Sequence, residues 1–139
     1  MTTPAAPPDG IRHETGPDGI LRVVFDRPGG KVNLLTREIL EHLGRLIEES
    51  RGDERVKALL FLSEKPGSFL AGADIDELAA VKDAWDAVQA SRLGQTVLQK
   101  IADAPWPSAC AIGGVCLGGG TELALSCTYR IAADGPAVK

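Results

Sequence analysis

The chain has 139 residues, 44% of them hydrophobic, which suffices for the core of one ordinary domain. Its 15 Lys and Arg against 19 Asp and Glu give a formal net charge of −4 without a block of like charges, so a nucleic-acid partner is not expected. No apolar run approaches the ~20 residues that span a bilayer. The three cysteines, Cys110, Cys116 and Cys127, are odd in number and form no C-x-x-C pair. They read as reduced core thiols of an intracellular protein. Residues 1–10 are rich in Thr, Pro and Ala and lack the apolar stretch of a secretory signal, which predicts a disordered tail and a cytoplasmic location.

Taken in chain order, residues 11–14 and 19–26 flank a Gly16-Pro17-Asp18-Gly19 turn cluster. In the second run Leu21, Val23 and Phe25 alternate with Arg22, Val24 and Asp26, the pattern of a hairpin. Thr36 is a candidate N-cap for an amphipathic helix ending near Gly52, with Ile39, Leu40, Leu43, Leu46 and Ile47 on one face. Residues 56–62 form a short apolar run that predicts a strand buried on both faces. A helix is expected over 83–102, with Trp85, Val88, Val97, Leu98 and Ile101 sharing a side until Pro105 and Pro107 stop it. Residues 107–115 read as one buried strand, 118–126 as a short helix and 129–132 as a further strand. Strands alternating with helices point to a layered α/β fold. No internal repeat is evident.

Two segments carry candidate chemistry. In Phe69-Leu70-Ala71-Gly72-Ala73-Asp74-Ile75 the small residues leave main-chain groups open to a ligand. A tight strand-to-helix turn capped by Asp74 would explain the same residues. In Ala111-Ile112-Gly113-Gly114-Val115-Cys116-Leu117-Gly118-Gly119-Gly120-Thr121-Glu122 a buried strand runs into three glycines that open a helix. Unpaired N–H groups there can hold an oxyanion, and Glu122 falls in the first turn beside them. Dipole complementarity and close helix packing account for the same residues equally well. The glycine spacing gives neither G-x-G-x-x-G nor a P-loop. His13 and His42 stand apart in sequence and read as surface residues, so neither a metal cluster nor a Ser-His-Asp triad is expected.

The two segments together, in this order and about fifty residues apart, resemble the signature regions of the crotonase (enoyl-CoA hydratase/isomerase) superfamily. Phe25-Asp26-Arg27-Pro28, Lys31-Val32-Asn33-Leu34 and Tyr129-Arg130-Ile131-Ala132 extend the likeness from about Gly19 to Ala133. The pattern is most similar to the hydratase region of multifunctional fatty-acid oxidation α-subunits. The resemblance implies a ClpP/crotonase spiral of β-β-α units and an enzyme of fatty-acid β-oxidation acting on acyl-CoA thioesters. Coenzyme A then enters as part of the substrate, with no prosthetic group. It also implies that the amides of Ala73 and Gly119 form the oxyanion hole and that Glu122 is a catalytic carboxylate. Ala71, Gly72, Ala73, Asp74 and Ile75, with Lys31 and Val32, would contact the CoA moiety; Arg27 and Lys31 are candidates for its phosphates, though a surface role suits them as well.

A crotonase domain has about 250 residues, and its second catalytic glutamate lies about twenty beyond the first. Residues 11–139 are therefore expected to be the N-terminal half of such a domain, giving weak or no hydratase turnover alone. The full-length form is expected to be a trimer or part of a multienzyme β-oxidation complex. Truncation is favoured over a split enzyme or a short binding protein. Two alternatives stay open: an isomerase or other thioester chemistry on the same fold, and a non-catalytic acyl-CoA-binding or assembly module.

Overall fold

A computed structural model describes residues 6–138. The expected tail falls partly outside them, at residues 1–5. Its last residues are tied to the sheet: Ile11 N donates to Pro8 O (3.4 Å) and Asp26 N to Gly10 O (2.9 Å). β1 (Ile11–Thr15) and β2 (Ile20–Phe25) form the antiparallel hairpin anticipated from the turn cluster. Gly19, at φ +77, occupies the left-handed region its turn requires, and the Asp18 carboxylate accepts from Ile20 N. Leu21, Val23 and Phe25 face the core, as the period-two alternation requires.

α1 (Arg37–Ser50) begins at Thr36, whose hydroxyl accepts from Ile39 N. It buries Ile39, Leu43, Leu46 and Ile47, the predicted face. β3 (Ala58–Ser63) follows and pairs in parallel with β2. Two short elements with no periodic signal come next, β4 (Ser68–Leu70) and α2 (Ile75–Ala79). α3 (Ala84–Ala102) packs on α1, with Gly44 of α1 facing Val97. Only Val97 and Ile101 of the expected stripe are buried. Trp85 is 70% exposed and Val88 41%, because the first turns of α3 project beyond the layer that α1 covers.

The run expected as one strand is divided. β5 (Ser108–Ile112) pairs with β3, and β6 (Val115–Cys116) pairs with β4 in a second, two-stranded sheet. The division falls at Gly113-Gly114, where the main chain leaves the larger sheet and passes hard against the 67–68 turn. A Cβ on Gly114 would stand 2.0 Å from the Gly67 carbonyl carbon, and Val115 N donates to Gly67 O (3.0 Å). α4 (Gly119–Ser126) and β7 (Tyr129–Ala132) complete the larger sheet, in the order β1-β2-β3-β5-β7 with every pairing after the hairpin parallel. β7 is exposed along its length, with Tyr129 and Ile131 open to solvent. Among the described residues no helix is long and apolar enough to cross a membrane.

The core is centred on Phe25, Phe61 and Phe69, all wholly buried. Phe25 meets Phe69 edge-on at 6.2 Å between ring centres and lies nearly parallel to Phe61 at 6.4 Å. Each such burial stabilises the fold by about 1.5–3 kcal/mol. Because the three rings come from β2, β3 and β4, the same contact ties the small sheet to the large one. Cys110 and Cys127 are buried and Cys116 half-buried, all three as free thiols.

The two histidines do not stand apart. His13 on β1 and His42 on α1 lie 5.2 Å apart between ring centres, and His42 is buried, its Nε2 without a hydrogen-bond partner among the described residues. Sequence distance concealed a contact that the packing of α1 on the hairpin creates. Burial lowers the pKa of both rings, and for His42 the neighbouring His13 and Arg45 lower it further, against a smaller opposite effect of Glu49. A depressed folded-state pKa stabilises the fold above the ordinary histidine value near 6.5, and that contribution is lost as pH falls below it. Denaturant midpoints should therefore drop as pH is lowered from about 7.5 to about 5.5, and His42→Leu should make that drop shallower. An equally steep drop in His42→Leu would show that this ring does not govern the acid limb.

Candidate functional site

The candidate site lies where three lengths of main chain meet: residues 33–35 after β2, residues 69–74 leading from β4 into α2, and residues 117–122 opening α4. Their approach is set by glycine. A Cβ on Gly72 would stand 3.2 Å from Leu117 O and 3.4 Å from Gly119 N, and Gly72 has φ +102, where side chains are strained. A Cβ on Gly120 would stand 2.3 Å from Leu70 O, so α4 starts in contact with the backbone of β4. Leu117 N donates to Leu70 O (3.0 Å), closing the crossing.

Residues 33–35 bind the 69–74 segment from the other side. Ala71 N donates to Asn33 O (2.9 Å), Leu35 N donates to Gly72 O (2.8 Å), and Leu35 bridges Ala73 in parallel. The amide of Ala73 stands outside these bonds, and Ala73 is exposed. Gly118, at φ 50 and ψ −124, is the N-cap of α4 and makes Gly119 its first helical residue. An amide at that position has no carbonyl one turn back to receive it. Among the described residues neither Ala73 N nor Gly119 N donates a hydrogen bond. Two free amides are thus carried by neighbouring lengths of main chain, with Gly72 packed on Gly119.

Glu122 lies in the first turn of α4 and is exposed. Its Oε2 is 3.7 Å from where a Cβ on Gly119 would stand, so the carboxylate reaches back beside the Gly119 amide. Asp74 does what the plainer account of its segment assigns to it. Its side chain accepts from Asp76 N (2.9 Å) as the N-cap of α2, and it lies 3.9 Å from the Arg27 guanidinium. Ile75 points outward from α2 at 78% exposure. Lys31 is exposed and Val32 half-buried, in the loop that joins the 71–73 segment two residues later. Burial raises the Cys116 thiol above its ordinary pKa, so it is protonated at neutral pH and is a poor nucleophile despite its place just before the glycines.

Asn33 was visible in the sequence only as part of a motif. In the structure it is 1% exposed and joins β2, β3 and β4. Its side-chain amide nitrogen lies 2.9 Å from Ser63 Oγ, 3.0 Å from Phe69 O and 3.3 Å from Phe25 O, and its Oδ1 accepts from Arg27 N (2.9 Å). Glu77, which the sequence offers as an alternative acid–base residue or a solvated helix position, has another role. From α2 its carboxylate accepts from Arg37 N (2.9 Å), the first amide of α1, and so caps a helix forty positions away in sequence. Both roles depend on long-range contacts that no local pattern announces.

Residues 15–139 match the family described as enoyl-CoA hydratase/isomerase. The chain is 40% identical over 121 residues to the fatty acid oxidation complex subunit alpha of Idiomarina loihiensis, an alignment covering 87% of this chain and 17% of that protein. An enoyl-CoA hydratase from Bacillus anthracis superposes with a TM-score of 0.83 at 27% identity, covering 91% of this chain and 48% of the other. An enoyl-CoA hydratase/carnitine racemase from Magnetospirillum magneticum gives 0.81 at 27% identity, with 89% and 46% covered. The fold is therefore crotonase-like, and the chain spans about half the length of these solved relatives and a sixth of the curated one.

The glycine contacts make a sharp stability contrast. Gly120→Ala should destabilise the fold by about 1–3 kcal/mol, since its methyl group would meet rigid backbone. Gly94→Ala, in α3 with open space around the added methyl, should stabilise it by about 0.5–1 kcal/mol. Urea unfolding of the two variants checks both signs.

Proposed function

The chain belongs to the enoyl-CoA hydratase/isomerase family, and from that premise we propose that Ala73 N and Gly119 N hold the carbonyl oxygen of an acyl-CoA thioester while Glu122 performs acid–base work beside it. The observation that carries this reading is the packing of Gly72 on Gly119, which keeps two unengaged amides on adjoining main chain next to a carboxylate. Adding water to an α,β-unsaturated thioester, or moving its double bond, passes through an enolate whose charge gathers on the thioester oxygen. Two fixed donors stabilise that charge, each by about 3 kcal/mol. In hydration the Glu122 carboxylate would hold or deprotonate the water that adds at the β-carbon, and the α-carbon would take up a proton.

The CoA part of the substrate would lie along Ala71, Gly72, Ala73, Asp74 and Ile75, with Lys31 and Val32 alongside. Support comes from the bonds of Asn33 and Leu35 to residues 71 and 72, which join the two stretches of main chain. Within them Asp74 would contribute through its main chain, its carboxylate being engaged as a helix cap. The whole protein would act in fatty-acid β-oxidation, as a trimer or within a multienzyme complex. The identity to a subunit of a fatty acid oxidation complex favours this setting.

Infrared spectroscopy of a bound acyl-CoA carrying ¹³C at the thioester carbonyl tests the donor pair. The carbonyl band should move to lower frequency on binding, and Gly119→Pro should lose a large part of the shift, since proline suits a first helical position but has no N–H. A band that stays at its solution frequency in the wild-type protein would overturn the reading. For the carboxylate, Glu122→Gln should leave acyl-CoA affinity unchanged and, in the whole protein, lower hydration of crotonyl-CoA by about 10²-fold or more.

A further inference from the structure

Resting on the donor pair just described, we propose that Asn33 is a positioning residue for the reaction: from behind the site it sets the direction of the Ala73 amide without touching substrate. Residues 33–35 hold the segment before Ala73 at three successive points. The Asn33 side chain donates to Phe69 O, its main-chain carbonyl accepts from Ala71 N, and Leu35 N donates to Gly72 O. The third of these points is the carbonyl of Gly72, which shares one planar peptide unit with the Ala73 N–H; without a side chain to restrict it, Gly72 is also the softest joint of the segment. The aim of the next amide, that of Ala73, therefore depends on how firmly residues 69–72 are held.

Asn33 is itself anchored on three further sides, by Arg27 N, Phe25 O and Ser63 Oγ. It lies at the closed ends of β2 and β3 and transfers their rigidity to the looser 69–73 segment. Its burial at 1% exposure keeps it out of reach of any ligand. Donors that act on a developing charge must be placed finely, a 1 Å displacement lowering rates by about 10²-fold. A side chain with this reach, made of one acceptor and one two-hydrogen donor, suits the task; apolar residues of equal size could fill the space but not hold the carbonyl.

Asn33→Asp distinguishes positioning from bulk stability, because it keeps the shape and the acceptor for Arg27 N and makes the donor conditional on pH. A protonated carboxyl can still donate toward Phe69 O, whereas an ionised one faces carbonyl oxygens with no hydrogen to offer. With the labelled acyl-CoA, the wild-type carbonyl shift should be the same at about pH 6 and about pH 8.5, while that of Asn33→Asp should fall by half or more at the higher pH. Asn33→Ala should lose the shift at either pH. Ser63→Ala weakens the same hub without cutting the Phe69 link, and should keep the shift while its Tm falls.

A folded Asn33→Asp with the wild-type shift at both pH values would overturn the inference, as would a Ser63→Ala that loses the shift as fully as Asn33→Ala. Absence of any shift in the wild-type protein would instead remove the donor pair on which the inference rests.

Discussion

A single buried amide side chain holds the site region of this protein together. Asn33 reaches the ends of β2, β3 and β4 at once, and its own main chain continues into bonds with residues 71 and 72. Buried polar groups of this kind stabilise a fold only when every member has a partner, and here the nitrogen and the oxygen of the side chain are both engaged. The arrangement is directional in a way that the surrounding Phe25, Phe61 and Phe69 cluster is not. Aromatic packing holds the sheets at a distance from each other; the Asn33 hydrogen bonds determine which backbone atoms face which.

Glycine provides the complementary constraint. Gly72, Gly114 and Gly120 lie where one length of main chain lies against another closely enough that a methyl group would collide with backbone or crowd it. These approaches bring the small β4–β6 sheet against the start of α4 and put two amides at the surface with no carbonyl to bind. A backbone exposed by glycines and held by asparagine is suited to a ligand that presents a carbonyl oxygen, because the donors are already oriented when it arrives. In the function proposed above, that chemistry resides in the fold's own main chain, with few side chains needed.

Away from the site, the contact between α1 and the hairpin buries His42 against His13, and Glu77 of α2 caps α1. Both join elements that the chain visits far apart. The short α2, which buries none of its residues, is nevertheless fixed by Asp74 at its N-terminus and by Glu77 in its middle, whose carboxylate accepts from the first amide of α1.

The amphipathic stripe of α1, the alternation of β2 and the glycine-rich entry to α4 were legible residue by residue, because each expresses a local period or a local cap that any compact fold must respect. The pairing of the two signature segments was legible as a resemblance, and residues 71–73 and 118–120 do meet. What the order of residues alone did not reveal is where continuity breaks or distance vanishes. The run at 107–115 divides between two sheets because Gly114 passes against the 67–68 turn, a fact about a neighbour nearly fifty positions away. Trp85 and Val88 carry the right spacing for a buried stripe, but among the described residues nothing covers them. Asn33 and His42 acquire their partners only when strands and helices stack. Local sequence determined which elements form and which faces they hide; the tertiary structure decided which backbone atoms are left without partners, since hydrogen-bond satisfaction is a property of the whole packed chain.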